Sequence, residues 1–150
     1  MALRNIVKTP DEILKKKSRN VEIFDEKLHT LLSDMAETME EANGVGLAAV
    51  QVGILRKIFI VDIGEGITEY INPEILETSG TQTDQEGCLS FPGEWGMVTR
   101  PMKVKIKAQD RFGNEFIKTA EGLEARAILH ENDHLLGHCF VEIAKDLERE

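Results

Sequence analysis

Long apolar runs are missing from this 150-residue chain, and so is any block of basic residues. Without roughly 18 consecutive apolar residues no membrane-spanning helix is expected. The opening Met1-Ala2-Leu3-Arg4-Asn5 leads straight into polar sequence, so no signal peptide is expected either, and the cytoplasm is the expected location. Eighteen Lys and Arg against 27 Asp and Glu leave a net charge of -9 spread along the chain. Such a balance favours solubility and argues against direct binding to nucleic acid or to a membrane surface. Cysteine is scarce, with only Cys88 and Cys139. In a reducing compartment such thiols are more commonly buried, metal-ligating or reactive than joined. A chain of this length buries about 70% of its unfolded surface, so no disulfide or structural metal is required. Internal repeats, low-complexity segments and linkers are also missing, and residues 1–150 are read as one domain.

What is present reads as short helices and strands. Thr9-Pro10-Asp11-Glu12 predicts a short helix with Thr9 as its cap, ending in Lys15, Lys16 and Lys17, whose charges suit the C-terminal end of the dipole. Leu28, Leu31, Leu32, Met35 and Met39 then recur at helical spacing between Asp25 and the stop at Asn43-Gly44, which makes a core helix. Ile58-Phe59-Ile60-Val61 and Glu69-Tyr70-Ile71 read as strands, the second ending before Asn72-Pro73. Lys103-Val104-Lys105-Ile106-Lys107-Ala108 alternates as a strand with one wet face. The turn Arg111-Phe112-Gly113-Asn114 returns it through Glu115-Phe116-Ile117-Lys118 as a hairpin. A last helix runs from about Glu121 to Leu136 and stops at Gly137. Apolar residues lie on more than one of its sides, so it is expected to be buried. The fold class is α+β, with antiparallel or mixed sheets packed around this C-terminal helix.

That helix carries His130-Glu131-Asn132-Asp133-His134. Residues four apart on a helix are only about 40° out of line, so both imidazoles reach one point in space, while Glu131 stands about 100° round, close enough to exchange a proton there. H-E-x-x-H is thus a catalytic-metal hypothesis, although composition alone yields it in on the order of one chain in a hundred. Cys88, in Glu86-Gly87-Cys88-Leu89-Ser90, reads alone as a small buried hydrophobe; beside two His it would complete three ligands and leave a fourth position open. Gly44-Val45-Gly46-Leu47-Ala48-Ala49-Val50-Gln51 lacks the Lys of a phosphate cradle. It reads either as a tightly packed loop or as the carrier of one functional amide, Gln51.

Together and in order, these three stretches resemble the three motifs of the peptide deformylases, with further matches at Pro10-Asp11, Ile71-Asn72-Pro73 and Val98-Thr99-Arg100-Pro101. The resemblance spans nearly the whole chain. It implies removal of the formyl group from the N-terminal formylmethionine of newly made polypeptides, releasing formate. It implies Cys88, His130 and His134 as ligands of one divalent metal ion, and Glu131 as general acid/base for a metal-bound water that attacks the formyl carbon. Gln51 and the backbone N–H of Leu89 would hold the developing oxyanion. Coordination rules alone read Cys plus two His as zinc, whereas the resemblance implies Fe(II), replaceable by nickel, cobalt or zinc. The implied partners are N-formylmethionyl peptides and, transiently, the ribosome. The chain stops ten residues after Phe140, short of the C-terminal helix by which some family members dock there.

An apolar pocket for the methionine side chain is expected from Leu123 and Ala127, which share the metal-bearing face, with Val45 approaching from the first motif. The matched positions Gly46 and Gly87 point to the same place, and Trp95 is expected at its rim. Arg126 is expected to be turned outward or paired, with Glu86 and Arg100 a pair beneath the site. Asp133 is a candidate outer carboxylate. Cys139 is read as a buried thiol, His138 and His29 as solvated imidazoles, and Leu129 as a core residue where the family often has Gln. Two other readings share the motif: a zinc metallopeptidase cutting internal peptide bonds, and a non-catalytic, metal-stabilised binding module.

Overall fold

The computed structural model describes residues 2–149. Two antiparallel sheets flank one buried helix. The first sheet has the order β1 (Gly46–Ala48), β2 (Ile58–Val61), β3 (Thr68–Ser79), β6 (Lys103–Gln109), β7 (Glu115–Glu121). The second has β4 (Gln82–Cys88), β5 (Phe91–Arg100) and β8 (Lys145–Arg149). Helix α1 is Glu26–Glu41 and α2, which carries the H-E-x-x-H sequence, is Gly122–Leu135.

Strand β2 explains how the first sheet is dressed. All four of its residues are buried, and because side chains alternate, Phe59 and Val61 pack with Ala125, Ala127 and Ile128 of α2. Ile58 and Ile60 pack instead with Leu28, Leu32 and Met35 of α1. The sheet is thus covered by a helix on each face at this point, and its strand reads as a continuous apolar run. Asp25 caps α1 by accepting from Leu28 N at 3.2 Å. Past the end of α2, Gly137 adopts φ 84°, a left-handed conformation that stops the helix.

Several expectations are corrected. Glu12–Lys15 is a single 3-10 turn capped by Asp11, whose carboxylate accepts from Ile13 N at 3.0 Å. Thr9 does not cap it, because the turn begins at Glu12 and leaves Thr9 two residues short of the cap position, with its own N–H donating to Ser90 O at 2.9 Å. Strand β3 does not stop at Asn72-Pro73. Asn72, at φ 51°, sits in a register shift between Ile71 and Glu74, and the irregularity accommodates a Pro that has no N–H to pair. The Asn72 amide fastens this kink, accepting from Val21 N at 2.8 Å and donating to Gln109 Oε1 at 2.8 Å. His29 is not solvated: its Nε2 lies 2.9 Å from Arg111 O and its ring meets Phe112 edge-on. The hairpin β6–β7 is as expected, with Val104, Ile106 and Ala108 buried.

The N-terminal segment is laid along α1. Ala2 N donates to Asp34 Oδ1 at 2.9 Å, Arg4 N to Thr38 Oγ1 at 2.9 Å, and the Arg4 guanidinium pairs with Asp34 at 2.9 Å. The Ala2 N–H, against the opposing effect of burial and with help from Arg4, holds the Asp34 carboxyl below its ordinary 3.8. A depressed pKa in the folded state means this tie has full strength above 3.8 and is lost as the pH falls below it. The protection factor for amide exchange at Arg4, corrected for the intrinsic pH dependence of exchange, should therefore fall on acidification, and Asp34→Asn should leave it low at every pH.

Candidate metal centre

Helix α2 presents His130 and His134 from one face, and the β4–β5 hairpin delivers Cys88 from the other side. One ligand atom from each lies within 4.8 Å of the other two, and Cys88 Sγ is 3.4 Å from His134 Nε2. The imidazoles meet edge-on with centroids 5.1 Å apart. His134 is fully buried and His130 nearly so. One thiol and two imidazoles converging from separate elements suit a soft or borderline divalent cation, and three protein ligands leave a position open.

Outer partners hold these groups. His130 Nδ1 lies 2.8 Å from Glu86 Oε1. With Glu86 ionised, Nδ1 is the donor and the Nε2 lone pair is left for the cluster. Burial would raise the Glu86 carboxyl, but the bonds from His130 and Arg100 outweigh it and hold it down to about 2. Arg100 grips Glu86 with Nε at 2.6 Å and Nη2 at 3.0 Å, and reaches Asp133 with Nη1 at 3.0 Å. The expected Glu86–Arg100 pair is present, and Arg100 is the partner of Asp133. Arg126 is paired inward, with Nη1 2.5 Å from Glu86 Oε2.

Glu131 stands apart from this network. It is 4% exposed, and its Oε1 has no hydrogen-bond partner. Burial pushes its carboxyl up to about 7, against the opposing pull of His130. A buried carboxylate oxygen left unpaired costs folding free energy, and Glu131 lines the same cleft as Cys88 and His130. Strand β1 makes room for it: a Cβ on Gly46 would lie 2.5 Å from Glu131 Oε2 and 2.9 Å from its Cγ. Gln51 is almost fully buried in the 3-10 turn after β1. Its Oε1 accepts from Ala48 N at 2.9 Å, which turns Nε2 toward Ser90 Oγ at 3.1 Å and Cys88 Sγ at 3.5 Å. Leu89 occupies the turn between β4 and β5.

A cleft of about 580 Å³ opens over the cluster, lined by all six expected substrate residues: Val45, Gly46, Gly87, Trp95, Leu123 and Ala127. Ala127 lies at depth, 4% exposed, whereas Leu123 at 55% and Val45 at 45% stand at the mouth. Trp95 lies over the Gly87 backbone, where a Cβ would come within 3.1 Å of its ring. Cys139 is a buried thiol and His138 is exposed, as expected, but Cys139 Sγ approaches His134 Nδ1 at 3.9 Å. The sequence reading missed Ser90, which fixes Gln51, and Phe91, which lines the cleft. Ser90 had a signal in lying two residues past Cys88; Phe91 had none.

A Cys-His-His donor set with a buried carboxylate in the same cleft, on a helix gripped between two antiparallel sheets, is a candidate metal-binding group whose three ligands suit an open, catalytic type of site. The family description that matches residues 3–150 is polypeptide deformylase, and the chain belongs to that family. It is 60% identical over 142 residues to the peptide deformylase of Caldicellulosiruptor bescii, covering 95% of this chain and 86% of that one. The crystal structure of peptide deformylase from Thermotoga maritima superposes with a TM-score of 0.94 at 40% identity, covering 95% of this chain and 98% of the other. That from Legionella pneumophila gives 0.93 at 44%, covering 96% and 87%.

The clearance at Gly46 carries a test. Gly46→Ala must displace the Glu131 carboxylate, and misplacement on the order of 1 Å costs about 10²-fold in turnover. A fall of that size is expected in kcat, with the thermal midpoint little changed.

Proposed function

We propose that residues 1–150 form one catalytic domain, a metal-dependent peptide deformylase that hydrolyses the N-formyl group of N-formylmethionyl polypeptides to formate and a free amine. The observation that carries the assignment of roles is the buried, unpartnered oxygen of Glu131, which lines the same cleft as Cys88 and His130. Cys88, His130 and His134 would hold the ion. A divalent ion there would supply Lewis acidity, bringing the pKa of water down toward neutrality and polarising the formyl oxygen.

The remaining chemistry belongs to side chains and backbone. Glu131, raised by burial, accepts the proton of the attacking water and passes one to the departing nitrogen, so proton bookkeeping closes on a single carboxylate. Gln51 Nε2 and the Leu89 N–H donate to the formyl oxygen as charge develops on it. Each donor is worth roughly 3 kcal/mol in such a role. Ser90 and the Ala48 N–H orient the Gln51 amide before substrate arrives. The methionine side chain fills the apolar depth at Ala127, between Val45, Leu123 and the Gly46 and Gly87 backbones, with Trp95 covering the following residues.

For the metal we propose Fe(II), which the family resemblance favours and for which thiolate and imidazole are suitable donors; the same donors accept zinc, nickel or cobalt. The cytoplasm is the proposed location, and a transient ribosome encounter the proposed route to new polypeptides. Among the described residues no helix is long and apolar enough to cross a membrane.

Anaerobic purification with metal analysis, followed by assay of formyl-Met-Ala-Ser for formate, tests the whole reading. Iron-bound protein that released peptide fragments without formate would be a peptidase instead, and one that released neither would be a binding module. Glu131→Ala should keep the metal and lose about 10² to 10⁴ in turnover. Ala127→Phe should lower kcat/KM on formyl-methionyl peptides by at least about tenfold, in line with what a few methylene equivalents are worth in an apolar pocket. Unchanged turnover would place the methionine pocket elsewhere.

A further inference from the structure

Glu86 is a carboxylate with every acceptor position filled. An ionised carboxylate offers about four lone-pair sites. Here Oε1 takes His130 Nδ1 at 2.8 Å and Arg100 Nη2 at 3.0 Å, while Oε2 takes Arg100 Nε at 2.6 Å and Arg126 Nη1 at 2.5 Å. The Glu86 side chain is 4% exposed, Arg100 5% and Arg126 6%, so water does not substitute for a missing partner.

The two guanidiniums are not equivalent. Arg100 is on β5 and divides its donors between Glu86 and Asp133. Arg126 is on α2, four residues before His130 and therefore on the same helix face. Its donors go to Glu86, to Val98 O at 3.0 Å and, at 3.5 Å, to Gln82 O, and among these only Glu86 carries charge. Thus α2 itself holds the β4 carboxylate at two points, with a guanidinium on one oxygen and the imidazole on the other. Arg126 also lines the cleft, and a long aliphatic stem under a paired head lets a charged residue occupy such a position.

We propose that Arg126 is a positioning residue for the metal centre, fixing Glu86 so that Glu86 fixes the tautomer and ring orientation of His130. The proposal rests on the reading of His130 as a ligand. Losing an outer partner of a metal-bound imidazole typically costs about 10- to 100-fold in metal affinity. Arg126→Met keeps the stem in the cleft and removes the guanidinium.

The test is a double-mutant cycle of Arg126→Met with Glu86→Gln, read by chelator competition for Zn(II) and by the nitrogen-15 and proton signals of His130. Arg126→Met is expected to weaken zinc binding about 10- to 100-fold and to shift the His130 Nδ1–H signal in the metal-free protein. In the Glu86→Gln background it should cost little more. Wild-type zinc affinity in Arg126→Met, an unshifted His130 signal, or losses that multiply in the double variant would each overturn the proposal. Should Arg126→Met not fold, Arg126→Lys carries the same readouts. It keeps a charge but no planar fork, and a smaller shift in the same direction is expected; no shift overturns the proposal. If wild-type protein bound no zinc, the ligand assignment would fall, and the metal-free His130 signal would still decide whether Arg126 acts through Glu86.

Discussion

The buried carboxylate of Glu86 is the point at which the second sheet, helix α2 and the metal cluster meet. Taking one carboxylate and two guanidiniums out of water costs several kcal/mol per ion, and a well-packed apolar substitute is frequently as stable. Stability is therefore a poor account of the network. Geometry is a better one, because the cluster draws Cys88 from a hairpin and two His from a helix. Nothing in the local structure of either element fixes their separation. The Glu86 carboxylate lies two residues before Cys88 on β4 and bonds His130 directly, so it sets the spacing of thiol and imidazole.

How much of this was legible in the sequence depended on whether a signal was local. Both long helices, β2 and the β6–β7 hairpin carried their periodicity in the chain itself, and the H-E-x-x-H spacing placed two imidazoles on one face. Strand β8, Lys145–Arg149, carried none: four of its five residues are charged, and it exists only because β5 offers an unpaired edge. The continuation of β3 through Asn72-Pro73 was hidden because the side chain that makes the kink tolerable pairs with Val21 and Gln109, far away in sequence. Whether Arg126 turned outward or was paired stayed open in the sequence, since its three acceptors lie on strands β4 and β5.

The two imidazoles are held unequally. His130 gives its second nitrogen to a carboxylate with a full set of partners, whereas the partner of His134 Nδ1 is the Cys139 sulfur at 3.9 Å. Burial pushes the Cys139 thiol up to about 12, so it stays neutral and is a weak acceptor. Ligand basicity follows the outer partner. Packing compensates on the weaker side: His134 has no exposed surface, and steric confinement fixes its ring where hydrogen bonding is weak.

Glu131 is the opposite of Glu86. The cations of the network, Arg100 and Arg126, are turned to Glu86, Asp133 and backbone carbonyls, and Gly46 on the other side offers no side chain at all. A carboxylate paired to either guanidinium would be held ionised far below neutrality, as Glu86 is, and would be a poor proton acceptor. Leaving Glu131 buried and unpartnered raises it to about 7, the range in which a carboxyl can both take and return a proton near neutral pH. The same few ångströms of protein thus set one carboxylate to carry charge permanently and its neighbour to exchange it, and the difference is made by which of them the two arginines reach.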